Sequence, residues 1–222
     1  MCGRFTLAAD PDDMREEFEG IEFPQLFAPR FNIAPSQPVL AVRNDGKRAA
    51  DFLLWGLIPS WAKDAAIGSR LINARGETLA EKPAFRGAYK YKRCLILADG
   101  FFEWKSQTAV KLKVPYYIQL KSRKPFAFAG LWDEWRSSDG SSVQTCAIIT
   151  TLPNELMATI HNRMPVMLQS KDFPDWMDPA PRPPDSLKHL LQPLPAALMQ
   201  AHPVSTLVNS PSNDTPQVIV PA

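Results

Sequence analysis

No stretch of this 222-residue chain stays apolar for the length that a membrane-spanning helix needs, which excludes a protein embedded through helices. The opening MCGRFTLAADPDDMREEF lacks the apolar run of a secretory signal and turns acidic by residue 10, so a cytoplasmic protein is expected. Cysteine is scarce. Cys2, Cys94 and Cys146 are odd in number and show no CxxC spacing, which argues against a disulfide framework and against a zinc site. No metal and no cofactor is expected. Cys94 and Cys146 sit in the apolar runs CLILA and CAIIT and read as buried structural thiols. Repeats are absent, and histidine is limited to His161, His189 and His202.

The hydrophobic share of 45% and charged share of 22% are those of an ordinary soluble globular chain, and one domain over residues 1–222 is expected. The net charge of +2 is unevenly spread. Residues 1–29 carry seven acids against Arg4 and Arg15, whereas residues 70–124 carry thirteen Lys or Arg against Glu77, Glu81, Asp99 and Glu103. A middle segment this basic could face a polyanion, although taken alone solvated surface charge is the better account of it.

Asp10 to Glu19 reads as a short acidic helix, with Asp10 as N-cap, Pro11 at the first helical position, and Met14 and Phe18 spaced for packing. After the loop FAPRFNIAPSQP come VLAVR, FLLWGL, CLILA, FFEWK, PYYIQL, FAFAGLW and VQTCAIIT, strand-length runs bounded by turn residues. ARGETLAEKPAFRGAYKY reads as broken helical turns, and Pro153 to Ile160 as a second short helix. The prolines of residues 173–195 forbid a central strand and suggest a surface excursion. The class expected is α+β: curved antiparallel β-sheets forming a barrel-like core, flanked by short helices.

Met1 precedes two small residues, so its removal would leave Cys2 with a free α-amine beside its thiol, a 1,2-aminothiol. An α-amine titrates near about 7.7 to 8.0 and a thiol near about 8.5, so useful fractions of both nucleophiles are expected at neutral pH. Such a pair condenses with an aldehyde, the amine giving an imine and the thiol closing it to a thiazolidine. N-terminal-nucleophile amidohydrolases also begin with Cys and turn its thiol on amides, so MCGRF alone leaves both chemistries open. A noncovalent single-strand-binding module with an incidental Cys2 is a third reading.

Five further segments stand in order behind MCGRF: PRFNIAPSQ at 29–37, WGLIPSW at 55–61, INARGET at 72–78, ADGFFEW at 98–104 and HNRMP at 161–165. With them the sequence resembles the SOS response-associated peptidase family, which includes abasic-site processing proteins. The resemblance runs from Cys2 to HPVS at 202–205. It implies that Cys2 forms a thiazolidine crosslink with the ring-opened sugar of an abasic site in single-stranded DNA or at a single-strand to duplex junction. It also implies that the crosslink shields the site from cleavage, and that peptidase activity, self-removal of Met1 or lyase-like strand cleavage accompanies it. Asn73 would hold the α-amine or a sugar oxygen, Glu103 would serve as general acid and base, and His161 would pass protons. Arg4 and Arg75 would grip phosphates, Arg163 would do the same or brace the site, and Arg86 with Lys90, Lys92 and Arg93 would extend the basic track. Trp61 would stack on a base, and His202 and Ser205 would complete the DNA contacts. Ala62 stands where some relatives carry a second Trp. A monomer acting at the nucleoid follows from the same resemblance.

Overall fold

The computed structural model describes residues 2–25, 27–107 and 113–222. Five of its strands close into a barrel: β3 (Pro38–Arg43), β4 (Ala50–Trp55), β6 (Arg93–Ala98), β9 (Phe126–Arg136) and β10 (Ser142–Thr151). The order around it is β10-β4-β3-β6-β9 and back to β10. The β4–β3, β3–β6, β6–β9 and β9–β10 pairings are antiparallel, but β10 meets β4 in parallel through Thr145 opposite Leu54. Further along, β10 pairs in parallel with β5 (Asn73–Arg75), Ile148 facing Asn73 and Thr150 facing Arg75. Two short strands, β11 (Met164–Pro165) and β12 (Met167–Leu168), add to β10 and β9.

A second sheet of five strands packs on the barrel in the order β13-β8-β7-β1-β2. Its members are β1 (Phe5–Leu7), β2 (Arg30–Ile33), β7 (Gly100–Ser106), β8 (Lys113–Leu120) and β13 (Met199–Pro203). Period-2 alternation in β7 explains FFEW. Phe101 faces the barrel, 6.0 Å from the Phe128 ring, and Phe102 joins Tyr117, Val204, Val208 and Val218 on the opposite face. Phe5 stitches the layers together edge-on to Trp55 and Phe128, at 5.1 and 5.6 Å. Each such buried ring contributes about 1.5–3 kcal/mol.

The seven strand-length runs all form strands, while β2 and β13 arise in segments that read as loop and turn. Their strand state is imposed by tertiary contacts rather than by propensity. The Asn32 Nδ2 donates to the Ser210 and Asn213 carbonyls, both at 2.9 Å, and Asp214 accepts from the backbone N–H groups of Phe31 and Asn32. Helix α1 (Pro11–Glu17) begins as its sequence predicts, the Asp10 side chain accepting from the Asp12 N–H at 2.8 Å, with Met14 buried. INAR contributes β5 before the helical turns begin, and α2 (Arg86–Tyr91) follows. Asn154 caps α3 (Glu155–Ala158) through the Met157 N–H at 2.8 Å.

The proline-rich residues 173–195 hold α4 (Phe173–Trp176) and a helical turn at Pro184–Leu191, anchored by buried Trp176, Leu187, Leu190, Leu191 and Leu194. Arg93 corrects an expectation. It is fully buried, and its guanidinium donates to the carbonyls of Trp176, Tyr89 and Lys90 at 2.9, 3.1 and 2.8 Å, so it ties this segment to the barrel instead of facing a polyanion. Lys92 is likewise engaged, its Nζ 2.6 Å from Asp133. No helix among the described residues is long and apolar enough to cross a membrane.

Candidate active site

The site forms where the start of the chain runs between the two sheets. Residues 5 and 6 pair with Phe101 and Gly100 of β7, and the Phe102 N–H donates to the Arg4 carbonyl at 2.9 Å. Cys2 therefore lies beside Glu103, the next residue of β7. From the barrel side, β5 presents Asn73, whose Nδ2 donates to the Cys2 carbonyl at 2.7 Å. The Asn73 Oδ1 is buried with no hydrogen-bond partner among the described residues, an acceptor held ready for a donor. His161, just after α3, brings Nε2 to 4.0 Å from the Glu103 Oε2. Asn73, Glu103 and His161 come from three separated stretches: Asn73 and Glu103 act on Cys2, and His161 approaches Glu103.

Burial sets the electrostatics. Cys2 has no exposed surface, and desolvation, reinforced by the Glu103 carboxylate, pushes its thiol well above the ordinary range. Burial thus works against the thiolate fraction that an exposed thiol would have near neutral pH. Glu103 is 2% exposed, and burial raises its carboxyl, with His161 among the groups that oppose the rise. A carboxyl raised in this way can hold or accept a proton nearer neutral pH than a solvated one. It is not the outward-facing edge residue that strand alternation alone would also allow, because β7 lies between β1 and β8.

The two arginines nearest the cluster are both held. The Arg4 Nη1 donates to the Asn32 Oδ1 at 2.8 Å and the Val208 carbonyl at 2.6 Å, and its guanidinium lies over the Trp104 ring at 5.9 Å. Arg163 makes a two-pronged pair with Glu77 and donates to the Thr150 carbonyl at 2.7 Å. Arg75 is exposed on β5, two residues from Asn73. Asn32, Glu77, Trp104 and Thr150 are thus parts of the site that residue-type reasoning passed over. Asn32, Glu77 and Trp104 lie within the segments PRFNIAPSQ, INARGET and ADGFFEW, which are signals present in the sequence, whereas Thr150 has none.

The remaining candidates make contacts of their own elsewhere in the fold. Trp61 is 59% exposed and lines a cleft of about 180 Å³ with Tyr91, Gly87 and Lys92. Arg86 lines an adjoining cleft with Lys90 and Tyr91. The Nε2 of His202 bonds the Ile219 carbonyl at 2.9 Å, and its ring packs edge-on against Tyr117 at 5.7 Å. Ser205 caps the helical turn Thr206–Asn209, accepting from the Leu207 N–H. Among the described residues no cluster of His, Cys, Asp and Glu could hold a metal ion.

A buried cysteine at position 2 gripped by an Asn and lying beside a buried acid and a histidine, where a barrel packs against a second sheet, defines the candidate site. The model of the SOS response associated peptidase (SRAP) family matches residues 1–211, and the chain belongs to this family. It is 50% identical over 222 residues to the abasic site processing protein YoqW of Bacillus subtilis, covering 99% of both chains. It is 31% identical to the abasic site processing protein HMCES of Xenopus tropicalis, covering 98% of this chain and 77% of that one. A solved structure of a protein from Bacteroides thetaiotaomicron superposes with a TM-score of 0.89 at 26% identity, over 100% of each chain.

Proposed function

We propose that this protein processes abasic sites in DNA, and that Cys2, once Met1 is removed, captures the ring-opened aldehyde of the lesion as a thiazolidine. The observation that carries the reading is that Asn73 and Glu103 act on Cys2, with His161 behind Glu103, and that Cys2 is the cysteine Met1 removal would leave with a free α-amine. The names of the relatives supply the substrate.

In the first step the Cys2 α-amine adds to C1′ of the aldehyde, forming the C–N bond of a carbinolamine. Loss of its hydroxyl as water needs a proton, which a protonated Glu103 supplies, leaving a protonated imine and the Glu103 carboxylate. In the second step the Cys2 sulfur adds to the imine carbon. A C–S bond forms, the thiol proton passes to the Glu103 carboxylate and restores the acid, and the nitrogen of the protonated imine keeps its proton and becomes the ring amine. One water leaves overall. The raised thiol orders these steps, because a buried thiol is a poor first nucleophile and the amine must lead. Asn73 fixes the backbone of Cys2 so that amine and sulfur reach the same carbon.

The exposed Trp61 and Arg75 suit a single strand entering this site, an aromatic face for a base and a guanidinium for a phosphate. Peptide mapping by mass spectrometry after incubation with an abasic oligonucleotide tests the reading. The N-terminal peptide should begin at Cys2 and carry the sugar remnant with the loss of one water. An unmodified Cys2 peptide beginning at the same residue would rule the capture out and leave amide hydrolysis as the chemistry of the site.

A further inference from the structure

The Glu77 carboxylate sits in the short helical turn Gly76–Thr78, directly after the strand that presents Asn73. It receives both ends of the Arg163 fork, the Nη2 leg at 3.0 Å. The same Nη2 also reaches the Thr150 carbonyl at 2.7 Å and the Thr150 hydroxyl at 3.2 Å. An exposed ion pair contributes little, but the Arg163 side chain is 13% exposed, and a two-pronged pair fixes geometry as well as charge. Both terminal nitrogens of Arg163 are therefore engaged within the protein.

What this fixes is read one bond further on. The Arg163 backbone N–H donates to the His161 Nδ1 at 3.1 Å. A backbone N–H can only donate, so Nδ1 carries no proton, and the proton of the neutral ring sits on Nε2, the nitrogen that faces Glu103 at 4.0 Å. We propose that Glu77 is a positioning residue: by clamping the Arg163 fork it holds the 161–163 turn so that His161 keeps its Nε2–H form aimed at Glu103. One carboxylate thereby links the two arms of the site, the β5 arm that grips Cys2 through Asn73 and the arm that carries His161. The Glu77 carboxyl is held below the ordinary range by its bond to Arg163, so the clamp stays charged at neutral pH. The role in capture rests on the reading above; the tautomer does not.

The test is imidazole-nitrogen NMR at alkaline pH, where the ring is neutral, with the His161 signal assigned by its loss in His161→Gln. In wild type His161 should show the Nε2–H form. In Glu77→Gln it should show the averaged shifts of a ring exchanging between forms, and Glu77→Asp should restore the wild-type pattern in part. Crosslinking to an abasic oligonucleotide should slow about tenfold in Glu77→Gln, the lower end of what loss of such an outer partner costs. Affinity for the undamaged strand should hold or tighten, because the charge removed is negative. A fixed Nε2–H form in Glu77→Gln, or weakened strand binding with an unchanged rate, would overturn the proposal. If wild type formed no adduct, the proposed function would fall, and the NMR comparison would still decide the role of Glu77. Should Glu77→Gln not fold, as judged by circular dichroism, Glu77→Asp is decisive, with partial averaging expected and an unaltered ring contradicting the clamp.

Discussion

Glu103 and Cys2 are both buried; desolvation raises each, and the Glu103 carboxylate adds to the rise of the Cys2 thiol. Replacing Glu103 with Gln should slow adduct formation by about a hundredfold, the usual worth of a positioned acid–base group. Binding of an undamaged single strand should change little, and quenched time courses beside a binding titration separate the two effects. The same substitution has a stability signature. Because burial raises the Glu103 carboxyl, the native state holds that proton more tightly than the unfolded chain does. Its contribution is complete below the unfolded value of about 4.3 and is lost as pH rises through the raised native value. Over that range the melting temperature of wild type should fall with pH more than that of Glu103→Gln. For Cys2→Ser, oxygen closes the five-membered ring less favourably than sulfur. This variant should give only an adduct that needs borohydride trapping to survive, and a stable one would remove the ring from the account.

At the scale of elements, the site depends on how closely WGLIPSW packs on the helical turn Ala65–Arg70. Gly56, at φ +138°, and Gly68 approach so tightly that a Cβ on Gly68 would lie 2.9 Å from the Gly56 carbonyl oxygen. Backbone cannot yield as a side-chain end can. Gly68→Ala should therefore cost about 1–3 kcal/mol in chemical denaturation and shift β5, whose Asn73 follows three residues after this turn ends at Arg70. Elements that carry their own local signals are the ones the sequence makes legible. Asp10 and Pro11 announce α1, Asn154 announces α3, and seven β-rich runs announce seven strands. β2 and β13 were not legible, because Asn32 and His202 owe their strand state to carbonyls some 180 and 17 residues away in sequence, at Asn213 and Ile219. The burial of Arg93 was equally invisible, since five acceptor carbonyls scattered over residues 89–180 decide it.

Across the whole molecule, the barrel and the sheet supply one arm each to a site that neither builds alone: β5 and the turn after α3 from the barrel side, β7 from the other. The residue types of the cluster could be named from motifs, but the gripping of Arg4 by Asn32 and of Arg163 by Glu77 required the fold. Exposed features should then serve the strand rather than the chemistry. Trp61→Ala should weaken single-strand binding by about 1–3 kcal/mol, the worth of one stacked base, without abolishing the adduct at saturating DNA. The most direct measurement of the central claim is denaturing electrophoresis of the mature protein with a labelled single strand carrying one abasic site. The account predicts a slow-migrating band without added reductant, present only with the lesion and absent from Cys2→Ala. With Met1 confirmed absent, no such band, or an equal one from Cys2→Ala, would contradict it.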